Sequence, residues 1–271
     1  MTQTVTARMR RVVIEIDNLP IRFWCDSSDF IRLIEERYSG FLSSSNNPIS
    51  EFEIELTTED RLGAGSEEVV VNREGEQWLI QRTDFRAQWD FATGQGRVRQ
   101  VASIYPLDSV LRVLLTLILA RKDGFLLHAS SVIQNGNAFV FAGKSGAGKT
   151  TIVKHAPPDA FLLTDDVSCL IRRRGAFEAV GTPFYCGRGR SGENREAPIN
   201  TIYLLAHGSE NKIEPVQGAT AVHGLLENVL FFSRDPELTK LVFETACEFV
   251  NHVPVRRLTF VPGASIWDLI R

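Results

Sequence analysis

A polyphosphate carries several negative charges at close spacing, so a chain that holds one needs backbone N–H groups converging where no side chain blocks approach. Residues 143–151, Gly-Lys-Ser-Gly-Ala-Gly-Lys-Thr-Thr, have that composition. Gly143, Gly146 and Gly148 open the backbone, with Lys144, Ser145 and Ala147 between them. Lys149 has the reach to meet β- and γ-phosphate oxygens and the Thr150 hydroxyl suits Mg2+. Thr151 continues into a helix whose positive end favours an anion. The run fits the P-loop pattern Gly-x-x-x-x-Gly-Lys-Thr and sits in the order that gives the pattern meaning, with an apolar strand before it and a helix expected after it. ATP and Mg2+ are the expected ligands. The pattern reads phosphates and leaves ATP against GTP open.

Asp165 and Asp166 follow the apolar run Ala160 to Thr164, fifteen residues after Thr150. Adjacent carboxylates repel unless a cation lies near, so the pair makes chemical sense beside Mg2+, one holding the metal and the other accepting a proton. Aspartates are also common in turns at strand ends, and that structural reading stands beside the functional one. His128, in Leu-Leu-His-Ala-Ser, is on sequence alone more often a satisfied core histidine than a ligand.

The elements that must position these groups are legible as hydrophobic periods. Residues 11–25 alternate around Asn18-Leu19-Pro20 and predict a hairpin; Asp26-Ser27-Ser28 caps a helix over 29–38. Strands are expected at 51–56, 68–71, 77–82 and 97–104, giving a small, mostly β N-terminal domain over residues 1–105 with no recognisable cluster of titratable groups. A helix from Pro106 to Lys122 opens the second domain, 106–271. Strands 125–134 and 137–142 follow, joined through Asn135-Gly136, so the strand feeding the glycine turn is the second arm of an antiparallel hairpin. Pro157-Pro158 should keep the next helix short. A hairpin over 167–173 and 176–180, an exposed mobile loop over 185–198, a strand over 199–206, two helices within 219–251, a strand over 255–260 and a short helix around Trp267 complete the chain. In the loop, Arg188, Arg190 and Arg195 are candidates to close over a phosphate or acceptor, against the plain reading of a solvated loop, and Cys186 is read as an ordinary thiol. The fold class is α/β, a mixed sheet with flanking helices plus the small β domain.

Thirty basic against 33 acidic residues give a formal charge of −3, so no global basic field draws the chain to nucleic acid. The four cysteines show no paired Cys-x-x-Cys spacing, which argues against a zinc site or disulfide framework and for a reducing compartment. The N-terminus lacks a signal-peptide core and the most apolar run, 110–120, is too short to span a bilayer and carries Arg112. The expectation is a soluble, cytoplasmic protein without membrane or nucleic-acid partners.

The run from Leu126 to Asp166 resembles the nucleotide-binding core shared by HPr kinase/phosphorylase and ATP-dependent phosphoenolpyruvate carboxykinase: a histidine on the preceding strand, the Gly-x-Ser-Gly-x-Gly-Lys-Thr turn, then Asp-Asp. The resemblance implies Asp165 as general base toward an acceptor hydroxyl, Asp166 and Thr150 at the metal, and His128 near the transferred phosphate or the metal. The two aspartate roles are interchangeable on sequence alone. The substrate arginines of a carboxykinase are absent, and so is the Arg-Gly-Leu-Gly-type turn of true HPr kinases. Gly181-Thr182-Pro183-Phe184 stands there instead and looks like the divergent HPr-kinase-related proteins often associated with peptide-modifying gene clusters. What the resemblance implies is an ATP-dependent phosphotransferase acting on a serine of a protein or peptide, or on a small molecule, in an oligomer of like subunits. A catalytically silent ATP-binding regulatory or interaction module, and simple hydrolysis, are the competing readings.

Overall fold

Alternation of apolar and polar residues builds most of this chain into strands, and the computed structural model describes residues 9–59, 62, 67–185, 191–261 and 263–270. Contacts divide the chain inside its second helix: one unit runs through Val113 and takes in Phe232–Arg234, the other comprises Leu114–Phe231 and everything from Asp235 onward.

The first unit holds a seven-stranded mixed sheet ordered β1-β2-β3-β7-β6-β5-β4. Its strands are β1 (Arg10–Ile16), β2 (Leu19–Cys25), β3 (Ser50–Thr57), β4 (Val70–Glu74), β5 (Gln77–Arg82), β6 (Phe85–Asp90) and β7 (Gln95–Val101). The β1–β2 turn is Asp17-Asn18, both at positive φ, so Pro20 lies within β2, opposite Glu15, instead of in the turn. Helix α1 (Ser28–Arg37) is capped by the Ser27 side chain, which accepts from the Phe30 N–H. Strand β6, absent from the sequence reading, alternates buried Phe85, Ala87 and Trp89 with exposed Arg86 and Gln88. The first unit also holds a titratable cluster that straddles the boundary expected at residue 105. Buried Asp108 accepts from Arg37 Nη2 at 2.7 Å and from Tyr38 Oη at 2.5 Å, and burial, reinforced by Asp108, pushes the Tyr38 phenol well above its ordinary range.

Helix α2 (Ile104–Leu119) is apolar on nearly every face, and Leu107, Val110, Leu111, Leu114 and Leu115 are fully buried.

The second unit is a nine-stranded mixed sheet: β8 (Gly124–Gln134), β9 (Asn137–Ala142), β10 (Phe161–Thr164), β11 (Val167–Arg173), β12 (Ala176–Val180), β13 (Glu196–His207), β14 (Lys212–Val216), β15 (Val229–Leu230) and β16 (Val255–Phe260). Among them lie α3 (Lys149–Lys154), α4 (Gly218–Leu226) and α5 (Pro236–His252). Asn135 and Gly136, at φ 51° and 77°, form the predicted tight turn, so β9 returns antiparallel along β8. On its other side β9 pairs parallel with β13, which pairs parallel with β16. The carboxyl ends of β9, β13 and β16 therefore share one edge of the sheet, the edge where ligands collect in open α/β folds. Alternation splits β9 cleanly. Ala138, Val140 and Ala142 join a core with Ala221 of α4 and Phe249 of α5, whereas Phe139 and Phe141 pack with Ile152 of α3, Tyr203 and Trp267.

Strand β8 changes neighbours halfway. Its first half pairs with β11 and β15, its second with β9 and β10. Strands β10 and β11 run in line along β8, with Thr164 opposite Ser131 and Val167 opposite His128. Asp165 and Asp166 are thus a break in one continuous edge. The expected loop over 185–198 is also shorter, because Glu196–Pro198 belong to β13 and pair with β12. No helix among the described residues is long and apolar enough to cross a membrane.

Candidate functional site

The turn between β9 and α3 owes its shape to glycine. Gly146 and Gly148 take φ 83° and 100°, alternating with residues of ordinary φ, which turns successive backbone N–H groups toward one concavity. A Cβ on Gly148 would lie 2.4 Å from the Phe260 ring, and one on Gly143 would lie 2.7 Å from Ala147 Cβ, so the loop also needs glycine for closeness. Helix α3 is only six residues long, so a macrodipole adds little and an anion would rely on the loop amides and Lys149.

Lys149 is buried, with 8% of its surface exposed. Its ammonium donates to Gly143 O at 2.7 Å and Lys144 O at 3.3 Å. An ammonium has three N–H donors, so a third remains for an oxyanion beside the loop. Burial lowers the Lys149 pKa below the usual 10.5, opposed in part by Asp166 and then Asp165. The sign for binding follows: a polyphosphate needs the ammonium form, so affinity is full at neutral pH and declines as pH rises through this lowered value, earlier than an ordinary lysine would dictate. Titration of tripolyphosphate across alkaline pH should show that early decline and, through buffers of differing ionisation enthalpy, proton uptake on binding. A pH-independent affinity up to 10.5 would contradict it.

Across the loop, a cavity of about 440 Å³ is lined by Lys149, Thr150, Asp165, Asp166 and His128, together with Ser145, Gly146, Gly148 and Thr151. His128 Nε2 lies 3.2 Å from Asp166 Oδ1. Asp165 is buried, and its Oδ1 has no hydrogen-bond partner. Gly143, Lys144, Ala147 and again Ser145 line a second cavity of about 510 Å³. The turn residues, His128, Asp165 and Asp166 thus line these two cavities, with Lys144 largely exposed and 3.6 Å from Glu227. Part of the arginine loop, Arg188, Arg190 and Cys186 included, lies outside the described residues. Arg195 stacks over Phe161 at 4.1 Å, pairs with Glu193 at 2.9 Å and lines neither cavity.

What holds the two aspartates was missed in the sequence. Where the β8 ladder breaks, Ala129 O accepts from Ser168 Oγ at 3.0 Å. Thr164 Oγ1 accepts from the Val167 and Asp166 N–H groups at 3.4 and 3.5 Å and can donate to Phe184 O at 3.3 Å. Thr182 Oγ1 donates to Val167 O at 2.5 Å and lies 3.1 Å from Thr164 Oγ1. The motif Gly181-Thr182-Pro183-Phe184 is therefore the clamp of the Asp-Asp break. A Cβ on Gly181 would meet Glu193 O at 1.8 Å, which excludes any side chain there. Thr182→Val keeps the shape and strands the buried Val167 carbonyl, at a cost of about 1–3 kcal/mol. Urea denaturation should register the lower midpoint; an unchanged midpoint would mean the clamp is idle.

The donor set around the first cavity is oxygen-rich: the Thr150 hydroxyl and two carboxylates, one with an unmet buried oxygen. That fits a hard cation such as Mg2+, which uses one or two carboxylates and takes its remaining ligands from water and phosphate. Among the described residues no three His, Cys, Asp or Glu side chains are grouped to bind a metal by themselves, so a cation here would share its shell with a phosphate.

Fold and site define a mixed α/β protein that collects an ammonium, two carboxylates and an imidazole beside a glycine turn. The chain belongs to the ScmC family: the model described as SynChlorMet cassette protein ScmC matches residues 99–270. That span includes the turn, His128, both aspartates and the Thr182 clamp. Among solved structures, the Hpr(Ser) kinase/phosphatase from Coxiella burnetii aligns over 54% of this chain and 85% of its own, at 13% identity and a TM-score of 0.31. At that level the likeness carries no argument. No curated protein matches the sequence.

Proposed function

We propose that this chain is an ATP-dependent phosphotransferase with an HPr-kinase-like nucleotide core, moving the γ-phosphate to a hydroxyl of a protein or peptide serine or of a small molecule. The observation that carries this reading is the convergence on one cavity of Lys149, Thr150, Asp165, Asp166 and His128, with a buried carboxylate oxygen of Asp165 that nothing in the protein meets. Phosphoryl transfer asks little covalent chemistry of a protein; it asks for alignment and neutralisation of charge. The loop amides and the Lys149 ammonium hold the β- and γ-phosphates. Asp166 and Thr150 hold Mg2+, which when bound neutralises charge on the phosphate oxygens. Asp165 accepts the proton of the acceptor hydroxyl, and His128, beside Asp166, orients that carboxylate.

Calorimetric titration of Mg-ATP and Mg-GTP, followed by transfer from γ-labelled nucleotide to hydroxyl-bearing peptides and metabolites, tests the proposal. A labelled acceptor is expected. Nucleotide binding without transfer or phosphate release would return the chain to a silent binding module, and phosphate release with no labelled acceptor would make it a hydrolase.

A further inference from the structure

The cavity of about 510 Å³ lies on the opposite side of the same glycine turn and belongs to no step described so far. Gly143, Lys144 and Ala147 form its wall on the loop side, and Ser145 borders both cavities. Leu204, Leu205 and His207 bring in the carboxyl end of β13, the sheet edge at which ligands of parallel strands bind. Thr220, Glu227 and Asn228 close it from α4 and the residues that follow. Its size suits a small organic ligand, and its walls pair apolar leucines with a few polar groups, as such pockets do.

We infer that this cavity receives the nucleoside of the nucleotide whose phosphates the turn holds. The inference rests on the proposed phosphate-binding role of the turn and extends it. A chain of phosphates crossing the loop from the first cavity emerges at the second, because Gly143, Lys144 and Ala147 line the second, Gly146 and Gly148–Thr151 line the first, and Ser145 borders both. Three features make the second cavity fit for a sugar and a flat ring. The Glu227 carboxylate stands 3.6 Å from Lys144 Nζ and 3.8 Å from His223 Nδ1, where it can accept from ribose hydroxyls. Gly224 lets α4 pack directly against Leu204, whose Cδ1 would lie 2.5 Å from a Cβ there, which fixes Thr220 and Glu227 at the cavity beside its apolar wall. Asn228 donates through Nδ2 to Gly224 O, leaving its buried Oδ1 without a partner, an acceptor for a ligand N–H or O–H. The backbone carbonyl of Asn228 also accepts from the His128 N–H at 2.8 Å, so the floor of this cavity is tied to the strand that carries the first.

The test compares Mg-ATP with Mg-tripolyphosphate, which offers the phosphates alone, by calorimetry on wild type, Thr220→Trp and Glu227→Gln. Wild type is expected to bind ATP at least about tenfold more tightly than tripolyphosphate. Thr220→Trp fills the cavity and should bring the two ligands level while tripolyphosphate binding persists. Glu227→Gln, the milder change, should narrow the gap. Equal affinity in wild type, or an ATP advantage that survives both substitutions, would overturn the assignment and leave the phosphate reading intact. Failure of wild type to bind either ligand would remove the phosphate reading, and the nucleoside site with it.

Discussion

Lys149→Met is expected to weaken Mg-ATP binding by about tenfold to a hundredfold, since a hydrogen bond to a charged group contributes roughly 1.5–3 kcal/mol. The same substitution should leave the melting temperature unchanged or raised. The Lys149 ammonium is buried and its pKa is lowered chiefly by burial, so the folded protein bears a desolvation cost for keeping it charged. Methionine fills a similar volume without that cost, which offsets the loss of the donor to the buried Gly143 carbonyl and the partly buried Lys144 carbonyl. Binding and stability moving in opposite directions is what separates a lysine kept for a ligand from one kept for the fold. Calorimetry and thermal melts on the same preparations read both. A variant that unfolds early yet binds Mg-ATP like wild type would assign Lys149 to the fold and remove it from the phosphate site.

The glycine turn and its neighbours were legible because their signals are local. Gly146 and Gly148 adopt left-handed φ, Asn135-Gly136 makes the hairpin turn, and the bounds of β9, β11, β12 and β16 follow from short apolar runs set between turn residues. Elements whose cause is distant were not legible. Strand β14 has little apolar signal and carries Pro215 because it is an edge strand whose one partner is β16. Strand β15 is two residues that exist only because β8 offers an edge. The in-line placement of β10 and β11 along β8 cannot be read from either strand alone, and it is what makes Asp165-Asp166 a break in a ladder. Likewise Thr164, Ser168 and Thr182 look like ordinary strand residues until the freed carbonyls they satisfy are seen. The second cavity draws on residues separated by more than a hundred positions, from Ala142 to Arg257, and no motif announces it.

Asp165→Asn is expected to lower the rate of phosphoryl transfer by about 10²–10⁴-fold, the usual contribution of a positioned general base, while Mg-ATP still binds. The geometry separates the two aspartates where the sequence leaves them interchangeable. Asp165 is the buried one with an oxygen that no group of the protein meets, which suits an acceptor hydroxyl arriving with a proton to give. Asp166 has its Oδ1 3.2 Å from His128 Nε2, which suits the metal role proposed for it. The two isosteric variants should therefore fail differently. Asp165→Asn should lose turnover at all Mg2+ concentrations, because amide nitrogen and oxygen cannot take the proton. Asp166→Asn should need more Mg2+ for half-maximal rate and recover part of its turnover when Mg2+ is raised. Transfer measured across a Mg2+ series on both variants decides the matter. Recovery by Asp165→Asn and none by Asp166→Asn would exchange the roles, and turnover at the wild-type rate in both would leave the pair as a turn in the β8 ladder with no part in chemistry.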